Sequence, residues 1–120
     1  MTQPLKEAFA HAGDGIVHAF KERNMRIHLI FALAAVILGF VLRIDHAGWL
    51  AVVVCIALVF SLETLNTALE SIVDLASPDY HDLAKHAKDC AAGAVLIAAI
   101  GSLIVACIVY LPAFFALVGA

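Results

Sequence analysis

Glu63, Asn66, Glu70 and Asp74 follow one another at steps of three, four and four, joined without a break to the end of an apolar run. On a continuing helix those steps put all four on one face near a membrane surface. Three carboxylates and an amide gathered there repel one another unless they are protonated, paired with Lys88 or Arg26, or bridged by a cation. Magnesium carrying a polyphosphate answers that need, because Mg²⁺ takes a few carboxylates together with phosphate oxygens and retained water. A nucleotide is thus the cofactor this face points to. The competing reading is a solvated helix end or a set of interhelical hydrogen bonds, and Asp74 taken alone fits it better. For the four together, a charge at the centre of a membrane helix costs about 2.5–3.5 kcal/mol, which weighs toward function.

Other polar groups carry weaker signals. Lys88-Asp89 reads equally well as an interface anchor pair or as a phosphate contact with its positioning carboxylate. His28, inside an otherwise apolar run, is expected to be a hydrogen-bonded packing residue rather than a ligand. His11, His18, His46 and His86 have no mutual metal-ligand spacing, and His81 gains interest only from its neighbours. Gly13 and Gly15 do not make a dinucleotide fingerprint and no P-loop is present, so a nucleotide must be held by another device.

Composition bounds the kind of protein. The chain has 120 residues, 64% of them apolar and 14% charged, with a mean hydropathy of +1.02. That is too oily for an ordinary soluble domain and fits a single membrane domain. A net charge of -3 with basic residues in small groups gives no reason to expect a nucleic-acid partner. Cys55, Cys90 and Cys107 lie far apart in apolar sequence, and they are expected to be core packers. The N-terminal residues contain no continuous apolar stretch followed by a cleavage site, so no removable signal peptide is expected.

Three apolar runs must position the acidic face. Ile27 to Leu42, closed by Arg26 and Arg43, is short: its 16 residues cover ~24 Å against a ~30 Å hydrocarbon layer. It must extend into flanks whose arginines snorkel. The second run, residues 47–62, opens on Gly48 and the interface anchor Trp49, and it must continue past Glu63 to cross. Cys90 to Leu111 spans with length to spare, and Cys90, Ala94, Ala98, Ser102 and Ala106 form a small-residue stripe that lets another helix come close. Before the first run, Leu5, Phe9, Ala12, Ile16 and Phe20 mark one side of a helix suited to the membrane surface. Ser77-Pro78-Asp79 signals a turn, with Asp79 expected to cap the next helix.

These elements divide one domain, 1–120, into a surface helix over 1–23, a first span over 24–45, a second over 47–75 with a cytoplasmic extension, and a third over 79–112 with a cytoplasmic start. The fold class is an all-α integral membrane protein. Lys6, Lys21, Arg23 and Arg26 precede span one, Lys85 and Lys88 lie between spans two and three, and only Arg43 lies between one and two. That bias puts the N-terminus and the acidic row on the cytoplasmic side. Glu22, Asp79, His81, Lys88 and Asp89 gather at the same level.

The run Glu63-Thr64-Leu65-Asn66-Thr67-Ala68-Leu69-Glu70-Ser71-Ile72-Val73-Asp74, followed by Ala87-Lys88-Asp89-Cys90-Ala91-Ala92-Gly93-Ala94-Val95, resembles the prokaryotic diacylglycerol kinase family, which includes undecaprenol kinases. The first segment matches the pattern E-x-x-N-S/T-A-I/L-E-x-x-V-D throughout. Leu75 to His81 and Arg23 to His28 extend the similarity over nearly the whole chain.

The resemblance implies a small kinase of the bacterial cytoplasmic membrane, with a surface helix and three spans, assembled as a homotrimer with active sites between subunits. It implies that Glu63 is the catalytic base toward a lipid hydroxyl and that Glu70 and Glu22 hold Mg²⁺ on ATP, with Asn66 ordering that site. Asp79, Tyr80 and His81 would face the nucleoside, and Lys88 with Asp89 the phosphates and sugar. Asp74 would support the row, and His11 stands where many relatives have a tyrosine that approaches the nucleotide. The Arg26-Ile27-His28 and Ala91-Ala92-Gly93-Ala94 stretches resemble the undecaprenol kinase branch more than the diacylglycerol branch. A rival from another class is a small oligomeric proton-coupled transporter, although transport carboxylates tend to sit near the midplane rather than at one boundary.

Overall fold

A computed structural model of the chain describes residues 4–119. The part of the expected surface helix at residues 1–3 lies outside them. The described residues form four helices: α1 (Leu5–Ala19), α2 (Arg23–Val41), α3 (His46–Ala76) and α4 (Asp82–Leu117). The last three are each long and apolar enough to cross a membrane. At ~1.5 Å per residue, α2 is ~28 Å long, α3 ~46 Å and α4 ~54 Å, so α3 and α4 overrun a ~30 Å hydrocarbon layer by several turns.

Contacts along the helices fix their directions. His28 on α2 meets Glu63 on α3, and Phe40 at the other end of α2 packs on Trp49, ring centroids 4.7 Å apart. α2 and α3 are therefore antiparallel. Lys88 pairs with Asp74 while Gly48 lies against Val109, so α4 runs antiparallel to α3 and parallel to α2. Tyr110 ties α4 to α2 by donating its hydroxyl to the Ala35 carbonyl at 2.6 Å. The longest interface is that between α3 and α4. At the end of the bundle where His28 meets Glu63, Phe20 after α1 meets Phe60 of α3 edge-on at 5.4 Å.

Local chemistry sets the helix ends. Arg43 takes a positive φ of 54°, and Asp45 then caps α3 by accepting from the Gly48 N–H at 2.8 Å. Gly39 is where backbone and ring come closest: a Cβ there would meet Trp49 Cη2 at 2.6 Å. α3 ends at Ala76, ahead of Pro78. α4 starts later than expected, at Asp82, and its cap is His81 rather than Asp79. The Ser77 hydroxyl donates to the Asp79 carbonyl at 2.8 Å and holds Asp79 in the turn, while His81 Nδ1 accepts from the Leu83 N–H at 3.0 Å. At its far end α4 continues through Pro112 to Leu117, since a membrane helix tolerates proline where neighbouring groups satisfy the freed carbonyl.

The core sits along the inner seams of α3 and α4. Val52, Val59, Glu63, Asn66 and Thr67 are buried on α3, and Ala91, Val95 and Ala98 on α4. Spacings of seven, four and three from Val52 to Asn66 make one stripe, whose apolar character ends at Glu63. Within the small-residue stripe of α4, Ala98 is buried and Ala94, Ser102 and Ala106 are half-buried, whereas Cys90 faces out. The expected core role of the cysteines is corrected for two of them: Cys90 and Cys107 are exposed on this chain and only Cys55 is half-buried. At positions 90 and 107 the inward stripe of α4 has rotated past.

Candidate active site

The packing seam of α3 places Glu63 in the protein rather than in lipid or water. It is 3% exposed, and Asn66, one turn on, is 5% exposed. Exposure then rises along the face: Glu70 is half-buried and Asp74 exposed. Hydroxyls in this stretch satisfy themselves on the backbone one turn back, as Thr64 does on Phe60 O at 2.8 Å and Thr67 on Glu63 O at 3.2 Å. The carboxylates and the amide are left to interact across side chains.

Asn66 Nδ2 donates to Glu70 Oε1 at 3.2 Å, which turns the other end of the amide inward. Among the described residues Asn66 Oδ1 is a buried polar atom with no hydrogen-bond partner. Such atoms are few in proteins and commonly await a water, ion or ligand. Lys88 of α4 pairs with Asp74 and so joins the acidic row. Asp89 points elsewhere, to an exposed pair with Lys85 one turn back.

Across from Glu63 stands His28. Its Nε2 is 3.5 Å from Glu63 Oε2, so a residue expected to pack does so against the deepest carboxylate. His28 also lines a cavity of about 360 Å³ between α2, α3 and α4, whose walls include Phe31, Val59, Phe60 and Leu103. The lining is almost wholly apolar and reaches the level of Glu63. The apolar cavity and the polar row thus meet through the contact of His28, which lines the cavity, with Glu63, the first member of the row.

The remaining sequence-named residues lie around this core. Glu22 is the N-cap residue of α2 and its carboxylate makes no cap bond; His11 is exposed on α1. Among the described residues no hydrogen bond or ion pair joins either of them to the row. Asp79, Tyr80 and His81 occupy the exposed turn between α3 and α4. Tyr80 donates to Asp82 Oδ1 at 2.8 Å, and that carboxylate, with smaller help from desolvation and Asp89, holds the phenol above its usual pKa. No three His, Cys, Asp or Glu side chains among the described residues gather into a metal cage.

The row is visible in the sequence, and the neighbour of its first member is not. His28 was visible as the sole polar side chain in the run Ile27 to Leu42. What it faces depends on how α2 and α3 pair, which spacing along either helix does not give.

Three helices long and apolar enough to cross a membrane, with Glu63, Asn66 and Thr67 buried among them, define a small helical membrane protein. The sequence model described as prokaryotic diacylglycerol kinase matches residues 10–110. The chain belongs to the prokaryotic diacylglycerol kinase family. It is 43% identical over 107 residues to an undecaprenol kinase of Bacillus subtilis (strain 168), covering 88% of this chain and 87% of that one. It is 44% identical over 110 residues to a diacylglycerol kinase of Synechocystis sp., covering 90% of this chain and 63% of that longer relative. With a diacylglycerol kinase of Escherichia coli (strain K12) it shares 34% identity over 90 residues, 75% of this chain and 70% of the other. These relatives carry kinase names, and the transporter reading finds no support among them.

Proposed function

We propose that the chain, acting over 1–120 as one membrane-embedded domain, moves the γ-phosphoryl group of ATP to the hydroxyl of a membrane lipid alcohol. It is a lipid kinase, a phosphotransferase with an alcohol acceptor. The observation that carries the site assignment is the buried carboxylate of Glu63, which heads a polar row and faces His28 on the wall of an apolar cavity. A lipid hydroxyl reaches that carboxylate from the membrane and a nucleotide from the water.

In this reading Glu63 takes the hydroxyl proton as the lipid oxygen forms its bond to the γ-phosphorus and the bridging oxygen leaves with ADP. Phosphoryl transfer asks the protein for in-line positioning and charge stabilisation more than for covalent chemistry. Glu70 and Glu22 would hold Mg²⁺, and the oxygen-only donor set with the orphaned Asn66 carbonyl beside Glu70 suits that ion. Bound with ATP, the ion supplies neutralisation of the charge on the transferring group. Asp79, Tyr80, His81 and His11 would contact the nucleoside, Lys88 and Asp89 the phosphates and sugar, and Asp74 would hold Lys88 in place.

Two further proposals complete the assembly. The chain works as a homotrimer in the bacterial cytoplasmic membrane, with α1 on the surface and the site on the cytoplasmic side. The orientation is supported by Lys6, Lys21, Arg23 and Arg26 before or at the start of α2 and by Lys85 and Lys88 before the apolar run of α4, against Arg43 alone at the other end; in a trimer, Glu22 and His11 would come into use at a neighbouring protomer's row. Undecaprenol is the preferred acceptor, on the likeness of Arg26-Ile27-His28 and Ala91 to Ala94 to that branch.

The test is a parallel assay of the purified chain in lipid vesicles with labelled ATP, Mg²⁺ and either undecaprenol or diacylglycerol. Label in the organic phase, greater with undecaprenol, is expected. Faster labelling of diacylglycerol reassigns the acceptor, and no label with either lipid removes the proposal.

A further inference from the structure

Glu63 is a poor base unless its carboxylate is held. A free carboxylate turns about its terminal torsion with little hindrance, and a misplacement of ~1 Å can cost about 100-fold in rate. α3 offers no holding group of its own. One turn back is Val59, and one turn on is Thr67, whose hydroxyl already donates to the Glu63 carbonyl at 3.2 Å. Asn66 gives its N–H to Glu70.

The cavity wall narrows the choice further. Its polar side chains include Ser102, which donates to Ala98 O at 2.8 Å, and Tyr110, which donates to Ala35 O at 2.6 Å. Both are spent on backbone. His28 is different: it lines the same cavity, and its Nε2 stands 3.5 Å from Glu63 Oε2.

We propose that His28 is a positioning residue for phosphoryl transfer: its ring N–H holds one oxygen of Glu63 so that the other meets the lipid hydroxyl arriving along the apolar cavity. The inference rests on the reading of Glu63 as the base. At 3.5 Å the contact is longer than a formed N–H···O bond, as is common for catalytic hydrogen bonds that tighten when substrate binds. The arrangement also accounts for a polar ring in a span that is otherwise apolar from Ile27 to Leu42, since such groups in a membrane face the protein interior and pair there.

Two substitutions in the full-length chain, reconstituted in vesicles with ATP, Mg²⁺ and a lipid alcohol, separate positioning from packing. His28→Leu removes the donor and is expected to lower kcat by about 10- to 100-fold while the KM for ATP and the thermal midpoint stay as they were. His28→Gln returns an N–H donor and is expected to recover most of the turnover. In a Glu63→Gln background, His28→Leu should cost nothing further, since the group it positions has gone.

Wild-type turnover in His28→Leu overturns the inference, as does a loss that tracks a lowered thermal midpoint and is not recovered by His28→Gln. An unchanged His28→Leu effect in the Glu63→Gln background does the same. If Glu63→Gln itself turns over normally, the assignment of the base fails, and that result is distinct from an inactive Glu63→Gln beside a fully active His28→Leu.

Discussion

A carboxylate that is 3% exposed at the edge of a membrane-spanning stripe has little water to stabilise its charge, and what it has instead is a histidine at 3.5 Å. Replacing that carboxylate by its amide keeps the shape and removes the basicity. Glu63→Gln is therefore expected to lower kcat by about 100-fold or more, with the elution of the detergent-solubilised chain unchanged; turnover near wild type would take the base away from Glu63. Glu70 accepts from Asn66, whose amide oxygen is left without a partner among the described residues, and in the proposed reading it would act by holding Mg²⁺. Titrating Mg²⁺ against activity in Glu70→Gln should give a half-saturating concentration well above that of the parent, and an identical curve would leave Glu70 without that role. The steps of three, four and four make this row legible in the sequence, because helical periodicity alone puts the four on one face. The gradient of burial along the face was not legible, nor were the neighbours His28 and Lys88 contributed by other helices. Both depend on the pairing of helices that are distant in sequence.

At the scale of the helices, the membrane's demand for internal backbone hydrogen bonding made the three spans readable from hydropathy. The ends were less so. α4 begins at Asp82, because the capping donor and acceptor are chosen by the turn geometry of Ser77 to His81 and not by residue preference alone, and at its other end it passes through Pro112. Trp49 was expected at an interface, and it also fills the space that Gly39 leaves open on α2, with Phe40 against its ring. This contact closes the α2–α3 pair at the end opposite the site. Gly39→Ala pushes a methyl to 2.6 Å from Trp49 Cη2, and a rigid ring must move to accept it. Overpacking of that kind costs about 1–3 kcal/mol, so a lowered thermal midpoint in detergent is expected, with the Mg²⁺ dependence of the remaining activity unaltered. A midpoint equal to the parent's would mean that α2 and α3 are not closely packed there.

For the whole molecule, the up-down-up path of α2, α3 and α4 has a consequence for where the chain's ends lie. An odd number of crossings puts α1 and the end of α4 on opposite sides of a membrane. The acidic end of α3, the start of α4 and α1 fall together on one of those sides, since His28 meets Glu63, Asp74 meets Lys88 and Phe20 meets Phe60. ATP is made and kept in the cytoplasm, so the proposed reading requires that end to face inward, the side to which the excess of lysines and arginines would assign it. A thiol reagent that does not cross membranes decides the point in a background where Cys55, Cys90 and Cys107 are replaced. His11→Cys should be labelled only after the cells are opened, and Gly119→Cys in intact cells. The reverse pattern would place the acidic row on the outer face, where no nucleotide supply meets Glu63, and the assignment of ATP as the phosphate donor at this site would fall with it.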